Sequence, residues 1–263
     1  MKNIAYMPFT KVSLFDKNYQ SLTLYVGTGK THCIRQITLN LRKQNKRVAI
    51  VCTTGMATMQ YKDLGAKTIH SWAGLYDGRY GNQQLVDLIG TGEKFKECKQ
   101  RILATEVLVI DEISMLSQKT LEQLEFVCRK TKKNEVVFGG IQVIGGGSFK
   151  QLPPVPNLNY GDNGNYCFQS KLWDTIFPHR IHLTTVIRQH EVQLIKAVNE
   201  LEDGMASPET QDFLKTLDRP LAAGCEAVKL FATNIDVNLY NMDRLSEHPG
   251  ESTHYRAVDT GIH

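Results

Sequence analysis

Residues 107–112 read Val-Leu-Val-Ile-Asp-Glu, an uninterrupted apolar run that ends in two adjacent carboxylates. A short run that is apolar at every position is typical of a parallel strand buried on both faces. Because ligands of parallel sheets bind at the carboxyl ends of the strands, Asp111 and Glu112 fall at a predicted ligand edge. Acidic pairs also follow strands where a helix begins, and the run alone leaves that alternative open.

The second motif lies between a predicted strand and a predicted helix and reads Gly27-Thr28-Gly29-Lys30-Thr31. Backbone N–H groups in such a loop and at the following helix N-terminus bind phosphates. In this setting Lys30 would reach the outer phosphates of a nucleotide, and the Thr31 hydroxyl would hold Mg²⁺. The alternative is a glycine turn that opens a helix and leaves the lysine in solvent. Leu24 counts against a phosphate loop, because the full pattern G-x-x-x-x-G-K-[ST] has glycine at that position.

Taken together, the two motifs predict a nucleoside triphosphatase. Asp111 could hold the Mg²⁺ directly or through water, and Glu112 could polarise the attacking water. Gln151 follows another predicted strand and could sense a γ-phosphate, while Arg188 could act as an arginine finger. Spacing alone does not establish these roles, because a glutamine before Leu-Pro-Pro is usually a loop residue and an arginine near a helix start is usually a surface residue.

Strands alternate with helices along the chain. The first block has predicted strands at residues 22–26, 47–53, 107–110 and 136–144, and predicted helices at residues 31–44 and 118–130, with Ser117 as a cap. After a loop at residues 157–165, the second block has predicted strands at 181–183, 228–232 and 255–259, and predicted helices at 191–201, from Ser207 onward, and at 237–245. This alternation predicts an α/β fold, an open and mostly parallel sheet with helices on both faces. By its length, the second block forms only part of such a sheet.

Composition excludes several classes of protein. The 263 residues are 41% apolar and 22% charged, with a net charge of +4 that permits a polyanionic partner without requiring one. No apolar run has the length of a membrane helix, and the N-terminus does not resemble a secretory signal. The six cysteines lie far apart without a C-x-x-C pair, which indicates reduced thiols. We therefore expect an intracellular protein that is not secreted, located in the nucleus and/or mitochondrion if its source is a eukaryote.

Several longer strings carry a family resemblance. They are GTGKT at 27–31, TTGMAT at 53–58, TIHSWAGL at 68–75, EVLVIDEISMLS at 106–117, FGGIQVIGGGSFKQLPPV at 138–155, CFQSKLW at 167–173, LTTVIRQHE at 183–191 and LFATNIDVNLYNMDRL at 230–245. With these strings in this order, the chain resembles the Pif (petite integration frequency) helicases, in the B branch of superfamily-one DNA helicases.

The resemblance implies RecA-like P-loop NTPase domains with ATP and Mg²⁺ bound between two of them. Residues 1–156 would form the first RecA-like ATPase domain, 157–180 a linker, and 181–263 part of a second RecA-like domain. It also implies 5′-to-3′ movement along single-stranded DNA and unwinding of duplex or structured DNA. We expect a monomer with no membrane partner. Members of the family are associated with DNA repair, recombination and telomere maintenance.

The resemblance also assigns roles to residues. Phosphate and magnesium binding fall on Lys30 and Thr31, magnesium and the attacking water on Asp111 and Glu112, γ-phosphate sensing on Gln151, the arginine finger on Arg188, and contacts with the DNA backbone on Thr54, Gly55, His70 and Ser71. Without the resemblance, His70-Ser71 would be interpreted as a helix cap, and Trp72 is a core residue in either interpretation.

The chain departs from the family pattern at several points. Leu24 replaces a loop glycine, Ser148 stands where the family usually has aspartate, and the glutamine that recognises adenine has no assigned counterpart. The later family motifs are absent before residue 263, so we expect a shortened product or fragment. Two hypotheses follow: an ATP-dependent DNA helicase or the larger part of one, and a nucleotide- or DNA-binding remnant that no longer works as a motor. A P-loop kinase or recombinase ranks last, because it leaves the QLPPV and IRQ strings unexplained.

Overall fold

The computed structural model describes residues 29–181, 183, 189–220, 227–251 and 253–256. In this part of the chain, four parallel strands form one sheet in the order β2-β1-β3-β4. The strands are β1 (Val48–Cys52), β2 (Lys67–Thr68), β3 (Val107–Asp111) and β4 (Gln142–Gly146). The parallel α/β sheet confirms the predicted fold class.

Helices precede, connect and follow the strands along the chain. The α-helices are α1 (Lys30–Lys43), α2 (Gly55–Met59), α3 (Ile69–Ala73), α4 (Asn82–Thr91), α5 (Lys96–Ala104), α6 (Gln118–Thr131), α7 (Trp173–Ile176), α8 (Val192–Glu202), α9 (Pro208–Leu217) and α10 (Asn234–Glu247). Short 3₁₀ turns cover Lys62–Leu64, Glu93–Phe95, Ile113–Met115, Val137–Gly140, Leu158–Tyr160 and Cys167–Gln169. Ser117 caps α6 as predicted, because its hydroxyl accepts a hydrogen bond from the N–H of Thr120.

The sheet is covered on both faces, and each face has its own apolar core. Successive residues of a strand point to opposite faces, so Leu108 and Ile110 join one cluster while Val107 and Val109 join the other. The first cluster packs α3–α7 against the sheet, and the second packs α1 and α2 against it. Every residue of β3 is buried, as its sequence predicts.

The register of the three longer strands brings their carboxyl ends to one level. Cys52 of β1 pairs with Asp111 of β3, and Asp111 pairs in turn with Gly146 of β4. The residues that follow these strands therefore share one edge of the sheet, where a parallel α/β fold binds its ligands.

The predicted strand at residues 136–144 is wrong in its first half. Strand β4 begins only at Gln142, because Phe138 and Gly139 have positive φ values of 56° and 63° that no strand accommodates. The Phe138 side chain is fully buried, and the backbone N–H of Phe138 donates to Oε1 of Glu125. Packing against α6 therefore overrides the apolar strand pattern.

The predicted strand at residues 228–232 is also wrong. Val228 and Leu230 are exposed in irregular backbone, and in residues 227–251 the structure has no neighbouring strand to supply ladder hydrogen bonds. Residues 181 and 183 likewise belong to no strand, and nor do residues 255–256. The predicted strand at 22–26, the Leu24 position and residues 257–259 lie outside the described residues.

The chain divides into two compact units, Met1–Phe213 and Leu214–His263. The first contains the sheet, and the described part of the second contains α10. The domain limits at residues 156 and 180 stay a prediction. Among the helices of the described ranges, none combines the length and apolar character that crossing a bilayer demands.

We expect Gly139→Ala to lower the free energy of unfolding by about 2–4 kcal/mol, because alanine resists this left-handed backbone and has no space for its methyl group. A Cβ at Gly139 would lie 2.8 Å from Cβ of Lys132 and 2.9 Å from the carbonyl oxygen of Cys128. Denaturant unfolding followed by circular dichroism measures the change. Gly90→Ala is the matched control, since nothing lies within 4 Å of the added atom in α4 and the helix should gain about 0.5–1 kcal/mol. Equal effects of the two substitutions would refute this explanation of the late start of β4.

Candidate nucleotide site

Helix α1 begins where the glycine-rich loop ends. Gly29 is its N-cap and has φ 82° and ψ 22°, a left-handed conformation that glycine adopts without strain. Ile34 and Ile37 bury one face of α1 in the core, which fixes the direction of its N-terminus. The free N–H groups and the positive end of the dipole of this 14-residue helix therefore lie beside Lys30.

Three predicted site residues lie together at this edge of the sheet. Nζ of Lys30 lies 2.6 Å from Oε1 of Glu112 and 3.3 Å from Oδ1 of Asp111. The side chains of Lys30 and Asp111 are 12% and 1% exposed, so this is a largely desolvated cluster rather than a surface ion pair. The structure thus joins two motifs that are distant in sequence, although the roles of these residues stay predictions.

The Asp111 carboxylate is held by further donors on both of its oxygens. Oδ1 accepts from the N–H of Glu112 at 2.9 Å, and Oδ2 accepts from the hydroxyl of Tyr61 at 2.7 Å. Tyr61 is fully buried. Burial, and secondarily the charge of Asp111, raises the pKa of Tyr61, so the phenol remains a hydrogen-bond donor.

A strained backbone turns Glu112 toward Lys30. Glu112 has φ 56° and ψ 45°, a left-handed conformation that is uncommon outside glycine and that costs roughly 1–3 kcal/mol at such sites. Its carbonyl oxygen accepts from the Thr53 hydroxyl at 3.1 Å, which helps to hold the turn. The strain, at the end of the strand that carries Asp111, indicates a functional position.

The oxygen atoms beside Lys30 fit a magnesium ion whose ligands come partly from the protein and partly from a nucleotide. In the described ranges, no group of three or more His, Cys, Asp or Glu side chains could hold a metal by itself. Mg²⁺ commonly takes one or two protein oxygens and completes its shell with phosphates and water. The Asp111 carboxylate and the Thr31 hydroxyl supply such oxygens. Burial raises the pKa of the neighbouring Cys52 to about 12, so this thiol stays protonated in the absence of a metal.

Gln151 lies on the open side of the site. It is exposed and lines a cavity of about 950 Å³ together with Glu112 and Thr54. Its N–H donates to the carbonyl oxygen of Ser148 at 3.1 Å, which holds the turn after β4. The Ser148 hydroxyl, at the position where the family usually has aspartate, is buried with no hydrogen-bond partner among the described residues. The remaining predicted residues Gly27, Thr28 and Arg188 lie outside the described residues.

Of the four residues predicted to contact DNA, two line a cavity and two are exposed. Thr54 and His70 line a second cavity of about 420 Å³, Gly55 is exposed with open space above its Cα, and Ser71 is exposed. Burial lowers the pKa of His70, so the imidazole is neutral near pH 7 and would bond a phosphate without adding charge.

The alternative interpretation of His70-Ser71 as a helix cap is wrong. The residue that caps α3 is Thr68, whose hydroxyl accepts from the N–H of Ser71 at 3.2 Å. Trp72 is 2% exposed and packs in the core, as predicted.

Sequence reasoning missed Tyr61 and Gln60. Oε1 of Gln60 accepts from the Thr31 hydroxyl at 2.8 Å, and Tyr61 contacts Asp111, so two consecutive residues touch both predicted magnesium ligands. They follow α2 in the string Gln-Tyr-Lys-Asp, which has no glycine, no acidic pair and no spacing that would have indicated such contacts.

The sequence of the chain is similar to those of known helicases. A sequence model of the family described as PIF1-like helicase matches residues 13–214. The ATP-dependent DNA helicase PIF1 of Emericella nidulans is 35% identical over 89% of this chain, and the ATP-dependent DNA helicase RRM3 of Saccharomyces cerevisiae is 32% identical over 89% of it. The chain spans only 31% and 32% of the length of these two relatives.

Solved structures show the same similarity. Pif1 helicase from Candida albicans superposes with a TM-score of 0.81 and 33% identity, covering 93% of this chain and 54% of that chain. Pif1 helicase from Bacteroides in complex with ADP-AlF3 and ssDNA superposes with a TM-score of 0.72 and 27% identity, covering 90% of this chain and 55% of that one.

We expect Lys30→Ala to lower the free energy of unfolding by about 1–3 kcal/mol in the absence of nucleotide, because a buried carboxylate loses its cation. Adding Asp111→Asn should recover part of this loss, since a neutral amide needs no cation. Urea unfolding of the single and double variants measures the coupling, with the exposed Lys43→Ala as control. Strictly additive losses would show that Lys30 and Asp111 do not interact.

Proposed function

Because the chain belongs to the PIF1-like helicase family, we propose that it binds and hydrolyses ATP with Mg²⁺ and couples hydrolysis to 5′-to-3′ movement on single-stranded DNA. Movement of this kind unwinds duplex DNA, so the chain would act as an ATP-dependent DNA helicase or as the larger part of one. The observation that supports the proposal most directly is the cluster of Lys30, Asp111 and Glu112 at the carboxyl ends of parallel strands.

The lysine can exchange its partners when a nucleotide binds. In the cluster, the single ammonium of Lys30 offsets half of the charge of two adjacent carboxylates and so weakens their repulsion of a phosphate. Bound phosphates beside the α1 N-terminus would draw the Lys30 side chain away from Glu112. Asp111 and Thr31 would hold a bound Mg²⁺, which would supply charge neutralisation at the phosphates and a new partner for Asp111 once Lys30 moves away.

The exchange makes Glu112 available for the attacking water. A carboxylate that no longer bonds an ammonium can accept a hydrogen bond from water and take up its proton. Glu112 and Gln151 line one cavity, so a water polarised by Glu112 would lie on the side where the Gln151 amide could bond a γ-phosphate. Pairing with Lys30 would therefore restrain Glu112 until phosphates are present.

DNA would lie near the segment that follows β1. Thr54 lines both cavities, and Gly55 offers backbone without side-chain obstruction, so the segment could touch a phosphate backbone without reading bases. A translocating motor needs contacts of this kind, and Bacteroides Pif1 has been solved with ssDNA. We extend DNA binding to this chain on that basis.

Steady-state ATP hydrolysis with and without single-stranded DNA tests the nucleotide part. We expect DNA to stimulate ATP turnover, and we expect Lys30→Ala to abolish ATP turnover with or without DNA. Glu112→Gln should lower turnover by about 10²–10⁴-fold without weakening nucleotide binding, because it removes proton acceptance and leaves no ion pair for the phosphates to break. Lys43→Ala, at the exposed end of α1, serves as the control with unchanged turnover. An ATP hydrolysis rate that changes neither on addition of DNA nor in Lys30→Ala would contradict the proposal.

Unwinding of a forked duplex with a 5′ tail separates the motor from a binding remnant. A helicase releases the displaced strand only when hydrolysable ATP is present. If ATP analogues bind and strand release is absent, the chain is the nucleotide-binding remnant and the motor function is rejected for it.

A further inference from the structure

We propose that Tyr61 is a positioning residue of the nucleotide site, where its hydroxyl fixes the Asp111 carboxylate in the orientation that binds a magnesium–nucleotide complex. The proposal rests on the proposed nucleotide function and adds to it a residue outside the motifs that predict that function. The proposal is based on three observations: the buried position of Tyr61, the different partners of the two Asp111 oxygens, and the contact of the preceding residue, Gln60, with Thr31.

Tyr61 is held firmly by its own surroundings. Its ring lies fully buried in the core cluster that contains Ile34 and Val109, on the α1 side of the sheet. Its N–H donates to the carbonyl oxygen of Thr58 at 3.0 Å, and its carbonyl oxygen accepts from the N–H of Leu64 at 2.9 Å. The hydroxyl of so well-fixed a ring is held in one place, where it donates to Asp111 and also lies in hydrogen-bonding contact with the Thr31 hydroxyl.

The two oxygens of Asp111 have different partners. Oδ1 faces Nζ of Lys30 and the N–H of Glu112, while Oδ2 bonds only the Tyr61 hydroxyl among the contacts in this part of the chain. Lys30 marks the side on which phosphates would bind, so Oδ1 is the oxygen available to a metal ion. Tyr61 occupies the other oxygen and thereby prevents rotation of the carboxylate.

Gln60 makes a matching contact with the second predicted magnesium ligand, through the hydrogen bond from the Thr31 hydroxyl to Oε1 of Gln60. The carbonyl oxygen of Gln60 accepts from Nη1 of Arg35 at 2.9 Å, and Arg35 also pairs with Asp63. Arg35 belongs to α1, so this helix anchors the whole segment next to the site. Gln60 and Tyr61 are consecutive in the chain, and each thus bonds one of the two predicted magnesium ligands. This indicates a local structure that orients both ligands rather than a chance contact.

Removing an outer partner of a metal ligand typically costs 10- to 100-fold in metal affinity, because the ligand loses its orientation. Tyr61→Phe deletes the donor and preserves the ring, so Oδ2 of Asp111 loses its partner while the packing remains. We therefore expect a specific loss in the Mg²⁺-dependent part of nucleotide affinity.

The experiment measures the binding of a fluorescent ADP analogue to the full chain, once in excess EDTA and once across a Mg²⁺ titration. For Tyr61→Phe we expect the Mg²⁺ concentration at half-maximal binding to rise about 10-fold or more, with affinity in EDTA within about 2-fold of wild type. Tyr80→Phe is the matched control, because Tyr80 packs with other aromatic rings around Phe95, away from Asp111. Thermal unfolding verifies that each variant is folded.

A double-mutant cycle distinguishes positioning from general support of the fold. If Tyr61 acts through Asp111, then Tyr61→Phe has no further effect on Mg²⁺ dependence in the Asp111→Asn background. An equal effect in both backgrounds would overturn the positioning role. If Tyr61→Phe does not fold, Tyr61→Met carries the same expectation, since it also lacks the donor.

The outcomes separate this inference from the proposed function. If wild type binds with Mg²⁺, Lys30→Ala does not, and Tyr61→Phe matches wild type, the positioning role is rejected and the nucleotide function stands. If wild type shows no Mg²⁺-dependent nucleotide binding, both are rejected.

Discussion

The site depends on one constraint, which is that the Asp111 carboxylate at the end of β3 is buried and must be paired. Asp111 is 1% exposed, and burying an ionised group without partners costs several kcal/mol. The partners come from separate parts of the chain: Lys30 from α1, Tyr61 from the segment after α2, and the N–H of Glu112 from the turn after β3. The N-terminus of α1, the sheet edge and the segment after α2 are therefore stabilised by one another.

The same constraint gives the site its chemistry. An arrangement that satisfies a buried carboxylate with an ammonium is stable without a ligand, and phosphates can replace the carboxylates as partners of that ammonium. The strained backbone of Glu112 places a second carboxylate within reach of the same ammonium. Under the proposed function, nucleotide binding and the release of Glu112 as general base would both follow from a single exchange of charge partners.

Local sequence patterns predicted most of the elements that carry the site. The buried run of β3 and the apolar spacing of α1 predicted both elements to within one residue, because each pattern reports burial of a face. The first half of the predicted strand at 136–144 failed, because a buried contact between Phe138 and Glu125 of α6 decides that backbone. Tyr61 could not be predicted, since its contact with Asp111 spans 50 residues and no spacing rule connects a lone tyrosine with an acidic pair. Long-range polar contacts of this kind become visible only in the folded arrangement.

The most direct test of the central claim is a crystal structure of the chain grown with an ATP analogue and Mn²⁺, which replaces Mg²⁺ and gives an anomalous signal. We predict an anomalous peak about 2.1 Å from oxygens of Asp111 or Thr31, or one bridging water further away, with Nζ of Lys30 on the phosphates instead of Glu112. A bound nucleotide with the Lys30–Glu112 pair intact, or a metal peak away from Asp111 and Thr31, would contradict the claim.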